Sequence, residues 1–529
     1  MFEFFPGFDP ATFEWNWTWW TTVAWSGRVL GIALIPTVLL QRGTRPMAAL
    51  AWILTLLAMP FIGAALWWII GRNHMRRRKR RRSRAQARIS RSFHDLARGS
   101  DADAAVAADS PLSPLNSLSA ISPARNLVLH DEHGIFPPIR DNLARPLPSS
   151  AVAFDAFEAA IRDAKHHIHF EFFIWREDAT GQRFRDLLAE RARAGVEVRI
   201  LYDAIGSSSI RKRFIKPLLD AGASAAPFLP VRLLERRLRV NFRNHRKLLI
   251  IDGEVGFTGG VNIADDYLEW FDMAVELRGP IVYQLQEVFA EDWHFATGED
   301  LAEERYFSGL SDHSPAAIEA DDTGALTGQT ARAEESMRER GDLPRAIPTV
   351  ARIVASGPDD TLDTIHKMFF LAITSATERL YLITPYFVPD SAIMAALQTA
   401  SMRGVDVRII VPQQSDVPIT QHAGRSYWEG LLEVGVRIFE YRDRVLHAKL
   451  IVHDRDHIFM GSANMDIRSF RLNFEANCVL ESHPLNRQMC RLFLETQSRS
   501  TEIELDAHRA RPYRTRLMEG FARLLSPLL

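Results

Sequence analysis

Two apolar runs open the readable pattern of the chain, "TVAWSGRVLGIALIPTVLL" over 22–40 and "MAALAWILTLLAMPFIGAALWWIIG" over 47–71. Each predicts a helix long enough to cross a hydrocarbon core. The second is the stronger of the two. Arg28 interrupts the first, near an end from which its stem can snorkel to an interface. Trp15, Trp17, Trp19 and Trp20 on one side, and Trp67 and Trp68 on the other, suit the interfacial belts of a bilayer. From 85 to 125 the chain turns Ala-, Ser-, Asp- and Pro-rich and reads as a linker. The period then changes. Over 167–203 a β-rich run, a polar connection, an amphipathic helix and a strand at "AGVEVRI" follow one another, and 379–412 repeats that order with "RGVDVRI". Strands alternating with helices predict an α/β layer fold with parallel strands, and two such halves predict internal duplication. The polar, acidic stretch 308–345 lacks an apolar period and reads as a linker or insertion. The expected organisation is an anchor and basic segment over 1–84, a linker over 85–125, a first half over 126–307, the polar segment over 308–345, and a second half over 346–529. The last stretch, "TRLMEGFARLLSPLL", carries a helical apolar stripe flanked by Arg514, Arg516 and Arg523. Core packing is its expected role, with membrane contact as the alternative.

Composition adds a folded interior and a charge asymmetry. Of 529 residues 47% are hydrophobic and 24% charged, which excludes global disorder. The net charge of -1 hides "RNHMRRRKRRRSR" over 72–84, far more basic than the connection "QRGTRP" between the apolar runs. The positive-inside rule then gives a two-span hairpin with both termini and the large C-terminal part on the cytoplasmic face. Two buried helices of a soluble protein with a nucleic-acid-binding basic tail are the bland alternative. Cys478 and Cys490 supply neither a disulfide framework nor a thiolate zinc cluster, and a reducing compartment fits.

The chemistry is written twice. "NHRKLLIIDGEVGFTGGVN" (244–262) returns as "LHAKLIVHDRDHIFMGSAN" (446–464). As a hairpin turning at Asp252-Gly253, the first copy projects His245 and Lys247 from one strand face. Gly260 falls roughly opposite His245 and leaves an open space over it, and Asn262 returns to the same neighbourhood. The second copy supplies His447, Lys449, Asp454, Gly461-Ser462 and Asn464. An imidazole, an ammonium and a carboxamide around such a cavity suit a tetrahedral anion. Asp252 and Asp454 complete each motif, yet seven residues of strand put them over ~20 Å from the histidines, so they read as turn and scaffold. Each copy also has a downstream acid, Asp272 and Glu475, on a strand from which it can orient an imidazole. Packed about a pseudo-twofold axis, the copies become half-sites whose histidines flank one phosphorus. One attacks; the other protonates the leaving oxygen. Lys247, Lys449, Asn262, Asn464, Gly260 and Ser462 would then surround the phosphate. The sequence has no CxxC, HExxH or EF-hand motif, and neither metal nor cofactor is expected. "KHHIH" (165–169) reads as solvent contact or packing rather than a metal site. "RLLERRLRVNFRNHRK" (232–247) reads equally as a solvated face or as an attractor of anionic headgroups.

These segments resemble the HxKxxxxD motifs of the phospholipase D superfamily. More narrowly, with the N-terminal anchor, "TPYFVPD" (384–390), "YWEGLLEVGVRIFEY" (427–441) and the "LLSPLL" ending, the chain resembles bacterial cardiolipin synthases. The "HDRDH" that replaces the first copy's Asp-Gly implies a looser second turn. The resemblance implies two phospholipase D-like α/β/α halves in one pseudo-twofold catalytic unit behind a two-helix anchor. It implies a multi-pass protein of the bacterial inner membrane with its catalytic domain on the cytoplasmic face. The implied reaction passes the phosphatidyl group of one phosphatidylglycerol through a phosphohistidine to a second, forming cardiolipin and glycerol, with His245 as nucleophile and His447 as acid and base. Anionic phospholipid and membrane are the implied partners, and nucleic acid is not. Hydrolysis by a phospholipase D-type enzyme is the nearest rival, and a silent membrane scaffold a remote one.

Overall fold

The computed structural model describes residues 17–42, 46–71, 136–230, 242–301, 303–306, 346–360 and 363–526. The basic run 72–84, the linker 85–125, the polar stretch 308–345, the stretch 232–241, Trp15, and the final residues of "LLSPLL" lie outside the described residues, as do the side chains of Trp17, Trp19 and Trp20.

The first apolar run is one helix, Trp17–Arg42. The second departs from the expected single span and divides into Pro46–Ala58, Pro60–Leu66 and a π-helical turn Trp67–Gly71. Pro60 causes the break: it lacks an N–H and its ring collides with the carbonyl four residues back, and Met59 leaves the helix at φ -134°, ψ 69°. Among the described residues one segment, Thr21–Leu40, is long and apolar enough to cross a membrane. The pieces fold against each other. Gly31 admits the backbone of Leu56, whose carbonyl oxygen would lie 2.5 Å from any added Cβ. Trp67 is fully buried and donates its indole N–H to Thr37 Oγ1 at 2.9 Å, so it is a packing residue and not a belt residue. Val29, Ile32, Leu39, Leu40, Leu54 and Ile62 point outward.

The rest of the described chain is built on one mixed sheet. From its outer edge the first half runs Ser224–Phe228, Glu197–Asp203, His167–Phe172, Lys247–Ile251, Val255–Gly259, Ala274–Arg278 and Ile139–Leu147. The second half has the same order: Arg437–Tyr441, Asp406–Pro412, Arg379–Ile383, Leu450–His453, His457–Gly461, Asn473–Glu481 and Ile347–Ser356, with Ser500–Glu502 added at its edge. The innermost strands pair antiparallel, Leu143 opposite Pro348 and Ala144 opposite Ile347. Two identical strand orders meeting on an antiparallel pair relate the halves by a pseudo-twofold axis normal to the sheet.

Along the sheet the expected parallel pairing holds for Ser224–Phe228, Glu197–Asp203 and His167–Phe172 in the first half and for Arg437–Tyr441, Asp406–Pro412 and Arg379–Ile383 in the second, while the added edge strand Ser500–Glu502 runs antiparallel. The inner strands pair antiparallel, and in each half a three-residue turn makes one of those pairs a hairpin, a connection too short for a parallel crossover, which needs a dozen residues or more. Helices cover both faces. Strand His167–Phe172 is consequently buried at every position. Capping fixes where key helices start: Asp178 accepts from Gly181 N ahead of Ala179–Arg193, and Asp390 accepts from Ala392 N and Ile393 N ahead of Ser391–Met402. Each half keeps its own core, around Phe154, Phe170, Phe184 and Leu188 in the first and Leu382, Ile393, Leu397 and Trp428 in the second.

Candidate active site

Each His-x-Lys segment is the first arm of a hairpin. Ile251 pairs with Val255 and His453 with His457, so both loops hold three residues and "HDRDH" closes a turn of the same length as the first. Asp252 (φ 55°) and Gly253 (φ 73°) both take left-handed backbone, whereas only Asp454 (φ 45°) does so in the second turn. The two aspartates act at this far end. Asp252 accepts the backbone N–H groups of Lys165, His166 and His167 at 2.7–2.8 Å; Asp454 accepts those of Thr377, Glu378 and Arg379 at 2.8–3.1 Å. They tie each turn to the start of the neighbouring strand.

At the near end the halves exchange partners. Arg243–Asn244 runs parallel to Asn473–Phe474, and His245 N donates to Phe474 O at 2.9 Å. In the same way His447 N donates to Phe271 O at 2.8 Å. These pairings carry each imidazole onto the other half's acid. His245 Nδ1 lies 3.0 Å from both Glu475 oxygens, and His447 Nδ1 lies 2.5 Å from Asp272 Oδ2. The acids therefore orient the opposite copy's histidine, not the one 27 or 28 residues upstream. A carboxylate only accepts, so both Nδ1 atoms carry the proton and both Nε2 atoms point away from the acid.

The small residues serve these carboxylates. A Cβ on Gly260 would lie 2.1 Å from Asp272 Oδ1, so this glycine makes room for the acid that reaches His447 and does not open a space over His245. Ser462, its counterpart, donates its hydroxyl to Glu475 Oε2 at 2.5 Å. Both expected phosphate contacts are thus corrected to supports of the acids. Asn262 is engaged as well, accepting from Ile174 N at 3.0 Å and donating to Tyr267 Oη at 2.6 Å. The buried carboxamide oxygen of Asn464 has no hydrogen-bond partner among the described residues.

Burial sets the electrostatics. Lys247 and Lys449 are 2% and 5% exposed, each donating to the carbonyl of its own motif histidine at 2.5 Å. Desolvation pulls the Lys247 ammonium down to about 7 despite Glu475, and Lys449 moves the same way. Burial also brings His245 down to about 4, against the pull of Glu475. His447 is lowered by burial and then by Lys449. Burial would raise Glu475, but His245, Lys247 and the Ser462 hydroxyl bring it down to about 2. A neutral His245 held by an ionised carboxylate keeps its Nε2 lone pair available, and Lys449 acts electrostatically on both His245 and Lys247. The two half-sites form one charged centre.

Several residues here were given no individual site role by the sequence. Arg246, between His245 and Lys247, is 1% exposed, ion-paired with Asp292, and donates to Glu475 O at 3.2 Å and Ser356 O at 3.1 Å. It staples the first motif to the other half. The second copy has Ala448 there, so the repeat gave no hint of it. Phe173 stands edge-on to His245 at 4.9 Å. His447 instead meets Trp270 at 5.4 Å, Tyr267 at 5.6 Å and Tyr386 at 6.2 Å, and Tyr386 donates its hydroxyl to Asp416 at 2.8 Å. "KHHIH" is packing: His169 stacks on Phe289 and bonds Gln286, and His167 meets Tyr306.

Two hairpins that trade acids across a dyad, each with a buried lysine beside its histidine, define a phosphodiester-transfer enzyme of the phospholipase D type. Residues 157–293 and 370–496 match the family described as "Cardiolipin synthase, PLD-like domain", and 29–72 match "Phospholipase D-nuclease N-terminal". A cardiolipin synthase of Geobacillus thermodenitrificans (strain NG80-2) is 34% identical over 96% of this chain and 95% of its own. Cardiolipin synthase 2 of Bacillus anthracis is 38% identical over 73% of this chain and 70% of its own. A solved phosphatidylserine synthase from Haemophilus influenzae Rd KW20 shares the fold at 18% identity, with a TM-score of 0.52 over 75% of this chain and 97% of that one. The chain belongs to the cardiolipin synthase family of the phospholipase D superfamily. Together with the apolar N-terminal helix, membership describes a membrane-associated bacterial enzyme acting on phospholipid.

Proposed function

We propose that the protein joins two phosphatidylglycerol molecules into cardiolipin and releases glycerol. His245 Nε2 attacks the phosphorus of the first lipid while the bond to its glycerol headgroup breaks. The leaving oxygen takes a proton from His447 Nε2, whose charged form Asp272 and the arriving phosphate both favour. Glycerol departs, and the phosphatidyl group stays on His245. The terminal hydroxyl of a second phosphatidylglycerol then gives its proton back to His447 and attacks phosphorus, breaking the P–N bond. Lys247 and Lys449 hold the non-bridging oxygens, and Asn464 reaches them with its carboxamide. Asp252 and Asp454 keep the hairpins in place without touching substrate.

The apolar segments form a hairpin in the bacterial inner membrane, and the basic run 72–84 keeps the catalytic part on the cytoplasmic face. A tethered site then meets both lipid substrates at high local concentration. The observation that carries the reading is the exchange of acids, because it makes one centre from two histidines. Purified protein incubated with headgroup-labelled and acyl-labelled phosphatidylglycerol tests it. Cardiolipin and glycerol in equal amounts are expected; phosphatidic acid as the sole lipid product would make the enzyme a hydrolase.

A further inference from the structure

The helix Tyr513–Leu524 is turned the opposite way from a helix that covers a soluble core. Tyr513, Leu517, Phe521 and Leu524 recur at steps of three and four residues, and they are 77%, 59%, 63% and 77% exposed; Met518 beside them is 56% exposed. The face toward the protein carries Glu519 and Ala522, and Ser526, just past the helix end, is buried with them. That inward face is fastened by polar contacts. Glu519 pairs with Arg511 at 2.6 Å, Tyr427 Oη donates to Ser526 Oγ at 3.2 Å, and Arg523 stacks over the Tyr427 ring at 4.3 Å. The helix is therefore held in this rotation, and the expected burial of its stripe in the core is corrected.

We propose that this outward face seats in the interfacial layer of an anionic phospholipid bilayer and gives the catalytic part of the chain its own membrane contact. Charge selects this occupant: Arg514, Arg516 and Arg523 are exposed on the same short helix, which otherwise carries only the buried Glu519 as an acid. An apolar stripe flanked by arginines matches headgroup phosphates above and acyl chains below. Position agrees as well. The helix Pro418–Leu432, on which this one packs, begins just after Asp416, the partner of Tyr386 beside His447. Ile419, at the start of that helix, and Leu268, beside Tyr267 in the chain, are exposed apolar residues as well. The proposal rests on the lipid-substrate reading only in its choice of bilayer.

The two native cysteines are buried, so a single introduced cysteine can be labelled in the full-length protein. Fluorophores at F521C, L517C and M402C are compared in vesicles of phosphatidylcholine and phosphatidylglycerol that carry an acyl-chain quencher. Met402 is 74% exposed on a different helix and serves as the control. Quenching at 521 and 517 is expected to exceed that at 402 by about threefold or more. Equal quenching at all three sites overturns the proposal. So does energy transfer between differently labelled copies at 521, which would make a second copy the occupant. Because quenching needs no turnover, it stands or falls apart from the chemistry. In the activity arm, Leu517→Glu with Phe521→Glu is expected to raise the KM for vesicle phosphatidylglycerol about tenfold and leave turnover of a short-chain soluble analogue intact. Unchanged KM counts against the proposal.

Discussion

At the scale of single residues the decisive fact is which acid serves which histidine. Glu475 belongs to the second half by sequence and to His245 by contact. Glu475→Gln removes the charge that fixes the Nδ1–H tautomer of His245, and a loss of about 10²- to 10⁴-fold in adduct formation is expected. Rapid-quench measurement of label bound to protein checks this; an unchanged first step with a slowed second step would contradict the exchange. Lys247 gives a second, independent prediction. Its ammonium is held down near 7 by burial, so it loses its proton, and with it the anion-holding charge, as pH rises through that value. The kcat/KM profile should therefore fall on an alkaline limb near 7. In Lys247→Arg, whose guanidinium stays charged, that limb should move to higher pH. Sequence spacing marked both His-Lys pairs and both acids, because each belongs to a repeat, but set Asn262 beside the phosphate, where its carboxamide bonds Ile174 N and Tyr267 Oη instead. It could not give the exchange: the contacts between Phe271, Leu446 and His447, and between Asn244, Phe474 and His245, form across the axis between sequence-distant segments.

At the scale of elements, the hairpins are rigid because both ends are pinned. The turn aspartates fasten one end to the neighbouring half-strand, and the crossed pairings fasten the other. Asp252→Ala leaves three backbone N–H groups without their acceptor and is expected to cost roughly 2–4 kcal/mol of stability. Activity per folded molecule should stay close to wild type, which thermal denaturation and turnover assays on the same preparation will separate; selective loss of turnover would give Asp252 a direct chemical role. Hairpin, turn and strand face were legible here because Asp-Gly, alternation and the His-x-Lys step are local signals. The mixed character of the sheet was less so, since alternating strands and helices also describe a parallel one. The second apolar run shows a different limit: hydropathy averages over Pro60, while the backbone breaks at it. The C-terminal stripe was visible as a period, but only packing reveals which side faces inward.

At the scale of the whole molecule, duplication lets one sheet build a site that neither half contains. Each half brings a histidine without its acid and an acid without its histidine, and the antiparallel junction of Ile139–Leu147 with Ile347–Ser356 completes both. A shared centre then holds a single phosphatidyl group per chain. Stopped early and digested, protein reacted with labelled phosphatidylglycerol should carry at most one phosphatidyl group, on His245, and a chase with unlabelled phosphatidylglycerol should move that group into cardiolipin. Two groups on one chain, or an adduct confined to His447, would contradict a shared centre with His245 as its nucleophile.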